Sequence, residues 1–259
     1  MAPVSEIPSL HLDAGRRKPP ELAVVIPVYN EQDSIRKVIC EWMGELDRWC
    51  EDYVVLAIND GSSDRSLEEL RLLQKRYGPR LLLTTRQNCG HGQTCLEGYR
   101  QSSMMGAQYV FQIDSDGQCD PRYFHRLWSL REQFTVIYGV RATRDDGWMR
   151  VVVSRTLRLM LLLAFRMNCP DANTPYRLMK VASIMRAVDR IPKDFYLANI
   201  ALAMLLAREN GCSHGFVPIG FRKRYGGEPS IKLASFGRKA VELYRDSRKM
   251  LKAQEVPAK

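Results

Sequence analysis

The chain has 259 residues, with 39 Lys+Arg against 29 Asp+Glu, a formal net charge of +10, and it is 45% hydrophobic and 26% charged. That composition excludes a collagenous, disordered or disulfide-stapled chain and suits one generous α/β domain. The longest uninterrupted apolar run, residues 200–207, falls far short of the roughly 20 residues that a spanning helix requires.

Residues 1–20 contain no apolar core of signal-peptide length and end in a basic, Pro-rich joint. They are expected to form a flexible arm on a cytoplasmic protein. Residues 22–28 (LAVVIPV) are continuously apolar and β-branched, as in a strand buried on both faces of a parallel sheet. Ile35, Val38, Ile39, Trp42, Met43, Leu46 and Trp49 then recur at three- and four-residue spacing, which predicts an amphipathic helix. A second buried strand is expected at 53–59 and a helix near 66–77. A third strand follows at 81–85, with a helix from the next turn to about 106. A fourth strand is expected at 109–114, then a helix near 121–134 and a short strand at 136–140. Beyond residue 141 the alternation stops: helices are expected around 149–167, 178–189 and 195–209, a strand at 215–221 and a basic helix from about 231. Strand–helix alternation with short joints predicts a doubly wound, mostly parallel sheet flanked by helices. The second half (141–232) is expected to complete one domain with the first (21–140), followed by a basic helix and tail at 233–259.

Ligands of such sheets sit beyond the carboxyl ends of the strands, and each unusual polar cluster falls at such an end. Asp114-Ser115-Asp116 follows the fourth strand. Two carboxylates two residues apart can face one hard cation, and Gln118 adds a carbonyl oxygen; oxygen donors of this kind suit Mg²⁺ or Mn²⁺. An ordinary turn or helix N-cap is the alternative for the same triplet. Glu31 and Asp60 close the first two strand ends, where carboxylates can accept hydrogen bonds from a base or ribose; otherwise Asp60 and Asp64 simply organise a turn. The Gly-containing stretch 88–93 is neither a Walker loop nor a full dinucleotide fingerprint. His91 within it is expected to lie near the ligand without acting as a base.

Seven scattered cysteines lack Cys-x-x-Cys or zinc spacing and are read as reduced structural thiols. The positive charge concentrates at the end: residues 219–259 hold eleven Lys+Arg and four acids. That asymmetry points to an anionic partner or to a solvated helix face. No RNA- or DNA-reading motif accompanies it, and nucleic acid is not expected.

AVVIPVYNE, INDGSSD, the Asn-x-Gly-x-Gly loop and QIDSDGQCDP, in that order, resemble the family 2 glycosyltransferases of the GT-A fold. The resemblance spans roughly residues 22–232. It implies a nucleotide-diphosphate sugar donor, with Pro27, Tyr29, Glu31 and Asp60 on the nucleotide, and Asp114, Asp116 and Gln118 on a metal at the diphosphate. Asp114 thereby serves donor and metal alike, and Asp116 counts as catalytic. The second half is similar to the dolichyl/polyprenyl-phosphate mannose synthase branch, in which basic residues bind the acceptor's phosphate. The corresponding positions here are Arg141, Arg150, Ser154, Arg224 and Lys232, with Asp171 opening the segment that ends at Arg177. Three departures stand out: Pro175 replaces a small Gly, Ile231 is inserted before Lys232, and Gly117 follows the metal pair.

A polyprenyl phosphate acceptor is already an anion and attacks without a general base, so orientation by Arg141 and its companions suffices. A saccharide hydroxyl acceptor requires a base, for which Asp171 is the nominee. Residues 151–167 and the C-terminal helix each combine an apolar face with basic flanks. Each suits a membrane interface or a helix packed on the sheet, and a peripheral contact with the cytoplasmic face of a membrane is expected.

Overall fold

A computed structural model describes residues 18–143, 162, 169–195, 197–226 and 236–252. Seven strands, β1 (Leu22–Val28), β2 (Tyr53–Asp60), β3 (Leu81–Arg86), β4 (Tyr109–Gln112), β5 (Val136–Thr143), β6 (Arg177–Lys180) and β7 (His214–Gly220), form one sheet. Their order is β3-β2-β1-β4-β6-β5-β7. β1 pairs in parallel with both β2 and β4, β2 with β3, and β5 with β7. Only β6 runs antiparallel to its neighbours. The second half therefore extends the same sheet as the first, and the expected mostly parallel α/β domain is what the chain forms.

Helices cover both faces. α1 (Ile35–Trp49) buries the predicted Ile35, Val38, Ile39, Trp42, Met43 and Leu46, leaving Trp49 exposed. With α2 (Ser66–Tyr77) and the short α4 (Phe124–Trp128) it packs on one face of the sheet. Trp42, Phe111, Phe124 and Tyr176 supply that core with tilted and edge-to-face ring contacts. α3 (His91–Met104), α5 (Val181–Asp189) and α6 (Ala198–Leu206) cover the other face. All nine α6 residues are buried, as an apolar-all-round helix must be. α3 lies close on β1: a Cβ at Gly98 would come within 2.3 Å of Val25 Cγ1. α7 (Phe236–Lys252) is the last described element and seats Leu243 and Met250 in the same core.

Three expectations are corrected. The helix placed at 178–189 begins as strand β6 and turns helical only at Val181. The one placed at 121–134 is a 3₁₀ turn at Pro121–Tyr123 followed by five helical residues. The fourth strand stops at Gln112, two residues early. Pro27 supplies a reason for this last one. The Val25 carbonyl accepts the Ile113 N–H at 3.1 Å, and strand alternation points Pro27 to the same side, where its ring nitrogen has no hydrogen to offer. The ladder ends there, and the chain is released into Asp114-Ser115-Asp116. The 149–167 helix lies outside the described residues. All seven cysteines are free thiols, as expected.

Candidate active site

The carboxyl ends of β1, β2 and β4 meet on one rim. Past β1, Asn30 takes a left-handed conformation (φ 53°) and its carboxamide oxygen accepts the Ser63 N–H at 2.8 Å. This lashes the Tyr29–Glu31 turn to the one after β2. Tyr29 is left half exposed, whereas Pro27 is buried within β1. The buried Glu31 accepts the Ser34 hydroxyl at 2.6 Å, while its N–H donates to Ser66 Oγ at 2.7 Å. Burial pushes the Glu31 carboxyl above its ordinary range, and Ser34 and Arg224 only partly offset this.

Asp60 sits at the end of β2 and is also buried. Its two carboxylate oxygens accept the N–H groups of Cys89 at 3.0 Å and Gly90 at 2.9 Å, with Arg86 3.6 Å away. Asp60 thus fixes the loop that starts α3, a role the motif did not disclose. At the head of that helix, His91 Nε2 lies 2.8 Å from Asp114 Oδ1. His91 therefore lies on the carboxylate pair.

Asp116 is 8% exposed. Burial and the Asp114 charge push its carboxyl up to about 6, against the Gln118 N–H that donates to it at 3.0 Å and the Arg224 charge. Gln118 itself is half-buried, and its carbonyl accepts the Arg222 N–H at 2.9 Å. Among the described residues no group of three or more His, Cys, Asp or Glu gathers as metal ligands. Two carboxylates nevertheless fit Mg²⁺ or Mn²⁺, which are bound by few protein oxygens and complete their shell with water and substrate phosphates.

A strap following β7 crosses over this pair. The Tyr225 N–H donates to the Asp116 carbonyl at 3.0 Å, and the Tyr225 ring lies on Gly117. A Cβ there would stand 2.3 Å from the ring, and the residue's φ of +82° also favours glycine. The departure at Gly117 is therefore explained by contact with Tyr225. Arg222 fastens the strap to Glu41 at 2.8 Å and to Asp120 at 3.2 Å. Arg224 then reaches Glu31 and stands 3.7 Å from Asp116.

On the far side of β4, Arg141 grips Asp171 with two parallel bonds, Nε to Oδ2 at 2.6 Å and Nη2 to Oδ1 at 2.8 Å. Asp171 is 6% exposed. Its turn is held from beneath by Arg177, fully buried, whose guanidinium donates to the carbonyls of Ala172, Thr174 and Asn199. Sequence reading did not single out Arg177 for this. An arginine at the start of a strand on a core face is the signal that would have done so, since a buried guanidinium must find several acceptors.

The structure thus brings Glu31, Asp116 and Arg224 together, sets Asp114 beside them and pairs Arg141 with Asp171. Arg150, Ser154 and Lys232 lie outside the described residues. No described helix is long and apolar enough to cross a membrane.

A family model described as glycosyl transferase family 2 matches residues 23–190. The undecaprenyl-phosphate 4-deoxy-4-formamido-L-arabinose transferase of Edwardsiella ictaluri (strain 93-146) is 33% identical over 138 residues, covering 52% of this chain and 42% of that protein. The enzyme of the same name from Serratia proteamaculans (strain 568) is 30% identical over 143 residues, covering 54% and 43%. The chain thus matches less than half the length of these relatives. In fold, it is similar to glucosyl-3-phosphoglycerate synthase from Mycobacterium tuberculosis, solved with Mn²⁺ and UDP-glucose. The TM-score is 0.60 at 17% identity, with 91% of this chain and 80% of that one covered.

Proposed function

We propose, from the premise that this chain belongs to glycosyl transferase family 2, that it moves a sugar from a nucleotide-diphosphate donor to a polyprenyl monophosphate. The observation that carries this reading is the pairing of Arg141 with Asp171. Both Asp171 oxygens are engaged by one guanidinium, so the side chain is committed to holding Arg141 and is not placed to serve a substrate hydroxyl as general base. An acceptor that is already anionic needs none. The curated relatives, named as transferases to undecaprenyl phosphate, support the same acceptor class.

In this reading Asp114, Asp116 and Gln118 hold Mg²⁺ or Mn²⁺ on the donor diphosphate, with Glu31, Asp60, Pro27 and Tyr29 around the nucleotide. Bound there, the cation would neutralise charge on the departing nucleoside diphosphate. Arg141 and Arg224, with Arg150, Ser154 and Lys232, orient the acceptor phosphate. One phosphate oxygen bonds to the anomeric carbon as the carbon–diphosphate bond breaks, so configuration inverts. A peripheral position on the cytoplasmic face of a membrane would supply the lipid.

The direct test is a sugar-nucleotide panel with Mg²⁺ or Mn²⁺, with and without short polyprenyl phosphates. Lipid-linked sugar product is expected; no turnover of any donor overturns the reading. Asp171→Asn separates the acceptor classes. It should retain prenyl-phosphate transfer with the acceptor KM raised roughly tenfold as Arg141 loses its fork, and kcat little changed. Complete loss of kcat would instead favour a saccharide hydroxyl acceptor and Asp171 as its base.

His91 supplies a further expectation. Hydrogen bonds to a ligating carboxylate fix its orientation, and their loss typically costs 10- to 100-fold in metal affinity. His91→Ala should weaken Mn²⁺ binding by about tenfold, measured by calorimetry with nucleoside diphosphate present. His91→Gln, which keeps a donor, should recover part of it, and equal affinities in all three proteins would remove the role.

A further inference from the structure

α7 has two unlike sides. Leu243, Ser247 and Met250 face inward and are buried. Opposite them, Val241, Tyr244, Arg245, Arg248, Lys249 and Lys252 recur at three- and four-residue spacing and line one shallow groove of about 400 Å³. Val241 is 57% and Tyr244 38% exposed, and the Arg248 guanidinium stands 5.9 Å from the Tyr244 ring centroid. Glu242 and Asp246 fall on the flank, so no acid interrupts the row of cations. This is the opposite of the acidic rim at the strand ends.

We infer that this face of α7 is a docking surface for an anionic lipid bilayer. Three features choose that occupant over other polyanions. The four cations surround an exposed aliphatic and an aromatic side chain, which gain from entering a headgroup–acyl boundary and gain little against a phosphate backbone. The stripe runs straight along a 17-residue helix, about 25 Å in length, as a helix lying in a membrane plane requires. The inward face is anchored in the core, so binding orients the catalytic domain without unfolding anything. The inference deepens the lipid-acceptor reading and rests on it for its purpose, although the surface can be tested separately.

The test uses the full chain and vesicles of phosphatidylcholine alone or mixed with phosphatidylglycerol. Co-sedimentation is expected with the mixed vesicles only. Each cation near such a surface contributes roughly fivefold to binding, so the combined Arg245→Gln, Arg248→Gln, Lys249→Gln and Lys252→Gln variant should lose it by at least a hundredfold. A control of equal charge on α2 and its approach, Arg65→Gln, Arg71→Gln, Lys75→Gln and Arg76→Gln, should bind nearly as the wild type does. Circular dichroism melts show whether both variants remain folded, and Val241→Asp alone should weaken binding if the quadruple variant melts early. Absence of vesicle binding, equal loss in the control, or stronger retention by single-stranded RNA than by the vesicles would overturn the assignment. Transfer to a water-soluble, short-chain prenyl phosphate without vesicles should be the same in wild type and the α7 variants. Should that transfer fail in the wild type while vesicle binding persists, the acceptor reading falls and the surface stands.

Discussion

Asp116→Asn is expected to abolish transfer and to make the protein more stable. In the proposed function Asp116 is one of two carboxylates at the donor diphosphate, and its removal would take away a hard ligand at the point where negative charge develops. A loss of kcat/KM of roughly 10³-fold is expected, or about 4 kcal/mol of barrier. The stability gain has a separate origin. Burial and the Asp114 charge raise the Asp116 carboxyl to about 6, so near neutral pH the folded state carries a carboxylate that it disfavours relative to the unfolded chain. The sign follows from linkage. A carboxyl raised on folding destabilises at pH above its folded value, and the penalty disappears as pH falls through about 6 towards the unfolded value near 4. Asparagine removes the charge yet retains an oxygen for the Gln118 N–H. A gain on the order of 1–2 kcal/mol is expected at pH 7, or about 2–6 °C in Tm for a chain of this size. Melting curves at pH 7 and pH 4.5 check both parts, since the difference between the two proteins should shrink markedly at the lower pH. An active variant, or one less stable at both pH values, would remove Asp116 from the assigned role.

The second large effect is expected from Arg177→Met, in stability. Arg177 is fully buried, and its guanidinium donates to three backbone carbonyls while lying 5.4 Å from the Tyr138 ring centroid. Methionine fills much of the volume but strands those carbonyls in the core, at a cost of about 1–3 kcal/mol for each group left unsatisfied. A total near 3–5 kcal/mol is expected, lowering Tm by about 10 °C. Lysine should fail to rescue, because an ammonium cannot span acceptors that a planar fork reaches at once. At temperatures where the variant is folded, the acceptor KM should rise more than kcat falls, because Asp171 and its grip on Arg141 ride on the turn that Arg177 supports. Thermal melts with Arg177→Lys alongside decide the first part, and steady-state kinetics the second.

These two residues illustrate what a linear reading can reach. The position of Asp116 on the rim was legible because a β-branched run leads straight into Asp-x-Asp, and strand ends are where a parallel sheet presents ligands. β1, β2, α1 and α2 were legible for the same kind of reason: each carries its burial pattern in adjacent residues. β6 was not. Its four residues, Arg177–Lys180, merge into the apolar spacing of the helix that follows, and only pairing with Tyr109–Gln112 on one side and Val136–Tyr138 on the other settles the strand. Arg224 was expected on an acceptor phosphate. Its contact with Glu31 joins positions 193 residues apart, and no local pattern encodes such a pairing. The sequence marks Asp60 as a strand-end carboxylate, but that its oxygens also receive the Cys89 and Gly90 amides depends on where a distant loop comes to rest.

The strap over Gly117 also has a consequence for the order in which the molecule assembles. β1 and β2 are parallel neighbours joined by α1, so the first half can collapse while the chain is still being made. Asp116 and Glu31, however, receive Arg224 and the Tyr225 amide only after residues 222–226 exist. These are among the longest closures in the chain, and contacts of such separation are paid for late on a folding route. During synthesis, at about 5–20 residues per second, an acidic rim waits several seconds for its basic cover. A nascent chain halted before Arg222 would hold all seven strands and no finished site, so the charges of the rim are balanced only after the sheet has been made.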